Sequence, residues 1–168
     1  MKKLILISLL FVLGACHTSI ETHFNKYNVS VTGPKGWKVT EEDLEGEGYS
    51  VSIEKEGFSS SGLVTITWIN VLVVEEEFID LFIEEFKESI FIKIDENDFT
   101  PPYDSKYNNY NCKTVDYSFS LMGIKHQGKI HSFQTAKKTF IILLQEANED
   151  HDKNLSGFRT IETSLKCS

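Results

Sequence analysis

The chain has 168 residues, of which 40% are hydrophobic, enough to build one domain with a substantial core. It carries 25 Asp and Glu against 17 Lys and Arg, a formal net charge of −8. This acidity argues against nucleic-acid binding and against adhesion to anionic lipid headgroups through charge, because both require a positive surface.

Residues 1–15 have the organisation of a secretion signal. The start is basic through Lys2 and Lys3, residues 4–13 are apolar apart from Ser8, and small residues suited to cleavage follow. Ten apolar residues cover only about half of a 30 Å hydrocarbon core, so this segment is too short for a transmembrane helix.

Residues 13–16 read Leu-Gly-Ala-Cys and resemble the lipobox of bacterial lipoproteins. The resemblance implies that Cys16 receives a diacylglyceryl group, that the chain is cut before it, and that the new amino group is acylated with a fatty acid such as palmitate. Two or three acyl chains hold a domain firmly at a bilayer, whereas one chain binds marginally. The alternative is an ordinary secretory signal with Cys16 as a free thiol near the cleavage site.

Cleavage would leave a chain with a net charge of about −10, divided into a lipidated tether at residues 16–26 and a single globular domain at residues 27–168. The second mature residue is His17 rather than Asp, so the chain lacks the inner-membrane retention signal known from enteric lipoproteins. We therefore expect a lipid-anchored protein of the cell envelope, on the outer membrane if the cell has one.

Most of the domain has the two-residue period of β-strands. Apolar and polar residues alternate at 49–54, 64–68 and 114–121, which predicts strands with one face in the core. Strands expected at 124–135 and 139–146 would follow the third of these in an antiparallel meander. The last strand is apolar on both faces, so we expect it to be central in the sheet and covered on both sides.

Two helices are predicted as covers. Residues 75–90 form the first, with an apolar arc opposite an acidic one and with Leu81 among the acids. The second lies near the end of the chain, where apolar residues recur every three or four positions after an acidic run. Its apolar positions are Leu155, Phe158, Ile161 and Leu165. Residues 97–111 contain two prolines and many polar residues, which predicts a loop.

This order of elements resembles the PsbP-like fold and small bacterial lipoproteins with that fold, including the DcrB type. The residues that carry the resemblance are Val29-Ser30-Val31, Gly33-Pro34-Lys35-Gly36-Trp37, a strand ending near Trp68, the helix at 75–90, and Phe158, Ile161, Ser164 and Leu165 at the end. The resemblance implies an α+β fold, a mainly antiparallel sheet with helices on both faces. It also implies a binding or assembly role and brings no catalytic motif.

Cys112 precedes the meander and Cys167 follows the last helix, so an oxidising envelope could pair them. The alternative is two independent thiols. A metal or redox pair is disfavoured because there is no CxxC motif.

Aromatic residues outside the core pattern are candidate partner contacts. Tyr103, Tyr107 and Tyr110 punctuate the polar segment, and tyrosines in loops make good interface anchors. The alternative is that they pin the segment to the sheet. Trp37 follows a Gly-Pro-Lys-Gly turn, and we expect it to begin a core strand.

No catalytic residues, cofactor or metal site are predicted. His126 and His131 lie five apart on one strand, so their side chains point to opposite faces and cannot share an ion. His151 lies between two aspartates near a helix start, where capping explains it better than metal binding. The sequence lacks HExxH, EF-hand, P-loop and G-x-S-x-G motifs.

The sequence therefore predicts a non-catalytic lipoprotein that binds or helps to assemble another envelope component. The alternative function is that of a carrier for a small ligand or a lipid, with a pocket between the sheet and one helix.

Overall fold

The structure, a computed structural model, describes residues 21–44, 46–57, 61–88 and 98–167. Cys16 and the predicted signal peptide lie outside these residues. The described strands are β1 (Thr22–Lys26), β2 (Val29–Gly33), β3 (Trp37–Asp43), β4 (Gly48–Lys55), β5 (Leu63–Ile69), β6 (Tyr103–Tyr107), β7 (Tyr110–Leu121), β8 (Ile124–Gln134), β9 (Thr139–Ala147) and β10 (Lys166–Cys167). The described helices are α1 (Glu75–Glu88) and α2 (His151–Ser164).

Seven strands form one antiparallel sheet in the order β3-β4-β5-β9-β8-β7-β6. Strands β7, β8 and β9 are consecutive neighbours, which confirms the predicted meander. A second, three-stranded sheet has the order β1-β2-β10 and brings the two ends of the domain together. The α+β fold with a mainly antiparallel sheet is confirmed.

Strand β9 lies inside the large sheet, between β5 and β8, and is buried on both faces. Ile141 and Leu143 pack with α1 on one face, whereas Phe140 and Ile142 belong to the core on the opposite face with α2 and the small sheet. The doubly apolar sequence of this strand follows from these two cores, because successive strand residues point to opposite sides of a sheet.

Helix α1 covers one face as its sequence predicts. Ile79 is fully buried against β7, β8 and β9, and Phe78, Phe82, Ile83 and Phe86 pack around it. Leu81, on the acidic arc, is 60% exposed. Three glutamates in the first turn complement the positive end of the helix dipole. Ile90, predicted on the apolar arc, lies outside the described residues.

Helix α2 covers the other face, but its apolar residues divide differently from the prediction. Ile161 is buried in the core, and Phe158 packs against its edge. Leu165 is also buried, just after the helix ends. Leu155, expected in the core, is 54% exposed, because its side chain lies at the mouth of a cleft.

Two segments predicted as irregular contain strands. The expected tether at residues 16–26 includes β1, which pairs with β2 because Phe24 packs its ring against Tyr49 and Trp68. The expected loop at 97–111 includes β6, the edge strand of the large sheet. In the part of the chain that the structure describes, no helix is long and apolar enough to cross a membrane.

Candidate functional site

A cleft of about 900 Å³ lies between α2 and the outer strands of the large sheet. Strands β6 to β9 supply one wall, and α2 supplies the other through Leu155, Phe158, Arg159 and Glu162. These four residues are spaced three or four apart, so they lie on one side of the helix. The volume is within the range of small-molecule sites.

The beginning of α2 is fixed to the sheet by hydrogen bonds around Glu146 of β9. One carboxylate oxygen is 2.6 Å from His151 Nδ1, and the other accepts a hydrogen bond of 3.1 Å from Asn154. The bond to Glu146 raises the pKa of His151. Gln127 of β8 also donates to this carboxylate, at 3.2 Å. These contacts hold one end of the cleft.

The inner wall of the cleft is a chain of hydrogen-bonding groups. Thr114 Oγ1 is 2.8 Å from His131 Nδ1 and 2.5 Å from Ser105 Oγ. Burial, reinforced by the charge of Lys129, lowers the pKa of His131 to about 4, so the imidazole is neutral at pH 7. Its ring lies 5.1 Å from that of Tyr107.

Tyr107 is 2% exposed, and its hydroxyl has no hydrogen-bond partner among the described residues. Burial first, and then the charge of Glu162, raise the pKa of this hydroxyl, so it keeps its proton. A buried hydroxyl without a partner costs about 1 to 3 kcal/mol. The inner wall therefore has one hydrogen-bonding group that the protein does not satisfy.

The outer wall is an ion pair between Lys129 of β8 and Asp116 of β7. Tyr103 donates its hydroxyl to the same carboxylate at 3.1 Å and accepts from Lys129 at 3.3 Å. All three side chains project from the same face of neighbouring strands, as their register requires.

The three predicted contact tyrosines have different environments. Tyr103 is 37% exposed and lines the cleft. Tyr107 forms the inner wall and offers no surface to a macromolecular partner. Tyr110 stacks on Phe133 at 4.4 Å and donates to the carbonyl of Cys167 at 3.3 Å, so it pins the β6–β7 hairpin to the core.

Cys112 and Cys167 are free thiols in the structure. Cys112 belongs to the core on the α2 side of the sheet, and Cys167 is partly buried against the same core. Burial raises the pKa of both thiols to about 11. Their pairing in an oxidising envelope stays a prediction.

The histidines are separated as predicted. His131 faces the cleft, while His126 stacks on Phe119 at 4.9 Å on the α1 side of the sheet. Within the described ranges, no group of three or more His, Cys, Asp or Glu side chains could hold a metal ion. The predicted position of Trp37 is also confirmed, because it begins β3 and is buried.

The alternative function anticipates a pocket between the sheet and one helix, but the sequence does not show which residues line it. Its walls combine β6, which reads as a loop, with residues up to 60 positions away. The one available signal was the polar face of β7 and β8, where charged and hydroxyl side chains alternate with the core residues.

Comparison with solved structures finds proteins of similar fold. Cyanobacterial PsbP (CyanoP) from Synechocystis sp. PCC 6803 superposes with a TM-score of 0.59 at 11% identity, covering 95% of this chain and 99% of that protein. The domain has a PsbP-like fold. No protein-family model and no curated protein matches the sequence.

Two further solved structures are similar to this chain at low identity. A protein from Bacteroides thetaiotaomicron VPI-5482 gives a TM-score of 0.55 at 14% identity, over 84% of this chain but only 45% of that protein. LpqN of Mycobacterium tuberculosis, described as involved in cell envelope biogenesis, gives 0.49 at 9% identity over 88% and 90%. At such identities these likenesses concern the fold alone.

Proposed function

We propose that this protein is a DcrB-type envelope lipoprotein, held by lipid on Cys16, whose PsbP-like domain binds another envelope component in the cleft between α2 and the sheet. The observation that carries the proposal is the cleft itself, an open space of about 900 Å³ with aromatic, charged and hydroxyl groups on its walls.

The lipobox supports the lipid anchor, and the position of the first strand sets how far the domain can lie from the membrane. Only residues 17–21 separate Cys16 from β1, and an extended chain gains about 3.5 Å per residue. The domain would therefore lie within about 20 Å of the membrane surface. A binding site on such a domain meets membrane-associated components first.

The chemistry of the cleft favours binding over catalysis. His131 is the natural base of the inner wall, but a base with a pKa of about 4 removes protons weakly at neutral pH. The hydroxyl that it contacts belongs to Thr114, which is fully buried and closed to a substrate. Glu146, the buried carboxylate, already accepts bonds from three side chains.

A carrier for a small ligand is the second candidate, and the position of the cleft between the sheet and one helix favours it. The wall is mixed rather than purely apolar, because Asp116, Lys129 and Arg159 line it beside Phe158. A carried molecule would therefore need a polar or charged group as well as an apolar part.

A pull-down from crosslinked envelopes tests the proposal when three forms are compared. Leu155→Trp places a large ring at the mouth of the cleft, and Leu81→Trp is the matched control, because Leu81 is similarly exposed on α1 across the sheet. We expect the native chain and Leu81→Trp to recover the same component and Leu155→Trp to lose it. Recovery of the domain alone from native envelopes would contradict the proposal.

A further inference from the structure

We infer that the cleft takes an anionic amphiphile, a molecule with a negatively charged group beside an apolar body. The inference rests on the proposed function in one respect, the placing of binding in this cleft. The charge and the polarity of the ligand are inferred from which wall residues already have ionic or hydrogen-bonding partners.

Three acids of the wall already accept hydrogen bonds within the protein. Asp116 pairs with Lys129 and accepts from Tyr103. Glu146 accepts from three side chains, and Glu162 Oε1 accepts the backbone N–H of Asn108 at 3.0 Å. These contacts satisfy a carboxylate oxygen of each side chain, and Asp116 also has a lysine partner of its own.

One cation of the wall has no such partner. Among the described residues, no acidic side chain forms an ion pair with Arg159 of α2, which lines the cleft. The guanidinium of Arg159 is therefore an unpaired positive charge at the cleft wall, and it would attract an anionic group of a ligand. Arginine suits this role because its fork of donors matches carboxylate, sulfonate and phosphate oxygens.

The inner wall supplies a second, independent indication. The unpartnered Tyr107 hydroxyl keeps its proton at neutral pH, because its pKa is raised, and it can therefore donate a hydrogen bond. A ligand oxygen is an acceptor that would satisfy it. Apolar contacts come from Leu155 and Phe158, so a body of hydrocarbon or aromatic character fits beside the charged group.

Paired fluorescent probes test this inference. 1-Anilinonaphthalene-8-sulfonate has an aromatic body and one negative charge, whereas N-phenyl-1-naphthylamine has the same body without the charge. The protein would be the chain from residue 16 onward carrying Cys16→Ser, so that no acyl chain competes for the probe. This chain retains every described element of the fold.

We expect the anionic probe to bind at least about tenfold more tightly than the neutral one, and Arg159→Ala to remove that preference. Lys38→Ala is the matched control, because Lys38 lies on β3 at the opposite edge of the sheet and its loss changes the net charge equally. Tyr107→Phe should also weaken the anionic probe, while its midpoint of thermal unfolding stays equal to or above that of the parent chain.

Equal affinity for both probes, or equal losses in Arg159→Ala and Lys38→Ala, would overturn the inference. A lowered unfolding midpoint in Tyr107→Phe would also count against it, because the hydroxyl would then have a partner within the protein. These results leave the pull-down unaffected. If Leu155→Trp still loses the envelope component, the cleft remains the binding site and only the ligand class is wrong.

Discussion

The indole of Trp37 lies directly against Gly157 in the middle of α2. A Cβ on residue 157 would fall 2.7 Å from Cε2 of this indole and closer still to Cζ2. Gly62, before β5, approaches the same ring, where a Cβ would lie 2.5 Å away. This close approach sets the distance between α2 and the sheet, and hence the width of the cleft beside it.

Gly157→Ala should therefore destabilise the domain, although alanine is normally the better helix residue by about 1 kcal/mol. Overpacking costs about 1 to 3 kcal/mol, and here the added methyl group would meet the rigid indole ring of Trp37. We expect a net loss of up to about 2 kcal/mol in the free energy of unfolding, measured by urea denaturation. Ser156→Ala, at the exposed neighbouring position, should be neutral or slightly stabilising. A more stable Gly157→Ala variant would show that the helix does not pack this closely.

Acidification should destabilise the domain through His131. Its pKa is about 4 in the folded chain and about 6.5 when unfolded, so below pH 6.5 the unfolded chain binds a proton that the folded chain excludes. Stability present at pH 7 is lost progressively as the pH falls towards 4, by about 3 kcal/mol from this residue.

His131→Phe keeps an aromatic ring against Tyr107 and removes the titration. Its free energy of unfolding should depend less on pH than that of the native chain between pH 6.5 and 4. The groups facing this position, Lys129 and Asp116, are retained in the variant and act as an internal control. Parallel pH profiles for the two proteins would contradict the buried, neutral imidazole.

The reduced thiols should react slowly in the folded domain. A pKa of about 11 leaves little thiolate at pH 8, so Cys112 and Cys167 should be alkylated roughly a hundredfold more slowly than an ordinary cysteine. Unfolding in urea should restore the normal rate. Rapid labelling of the native domain would mean that this part of the core is open.

Pairing of the same two cysteines in the envelope is a separate prediction. A bridge across this loop would stabilise the domain by about 4 kcal/mol on the chain-entropy model. The mature protein should then migrate differently on gels with and without reductant. Identical migration, with two thiols alkylated after unfolding, would end the prediction.

Membrane attachment should depend on Cys16. We expect Cys16→Ser to move from the membrane fraction to the soluble fraction, because the acyl chains are lost. Incorporation of labelled palmitate should disappear in the same variant. Cys112→Ser serves as the control and should keep both the label and the fractionation. A processed Cys16→Ser chain that still sediments with membranes would contradict the lipid anchor.

The elements that could be predicted are those in which contact with a core sets the spacing of apolar residues. Strand β9 and helix α1 each bury a continuous apolar surface, and their sequences show it. Strand β1 has a single buried apolar residue, Phe24. Strand β6 also has one buried residue, Tyr107, and two prolines directly precede the strand. Their pairing is decided by neighbouring strands, which a local pattern does not contain.

The lining of the cleft could not be predicted for a related reason. Leu155 has the spacing of a core residue, and only the position of α2 relative to β6 and β7 shows that it lies at a cleft mouth. The unpaired state of Arg159 is likewise a property of the tertiary structure, because acidic residues occur nearby in sequence at Glu162 and Asp152. The chemistry of the cleft depends on which acidic side chains already have ionic or hydrogen-bonding partners within the protein.

Binding of an envelope component in the cleft is tested most directly by site-specific crosslinking in intact envelopes. A photoreactive phenylalanine would replace Leu155 at the cleft mouth or Leu81 on α1, two leucines of similar exposure on opposite faces of the sheet. We predict one defined adduct from position 155 and none from position 81. Equal adducts from both positions, or an adduct from position 81 alone, would contradict it.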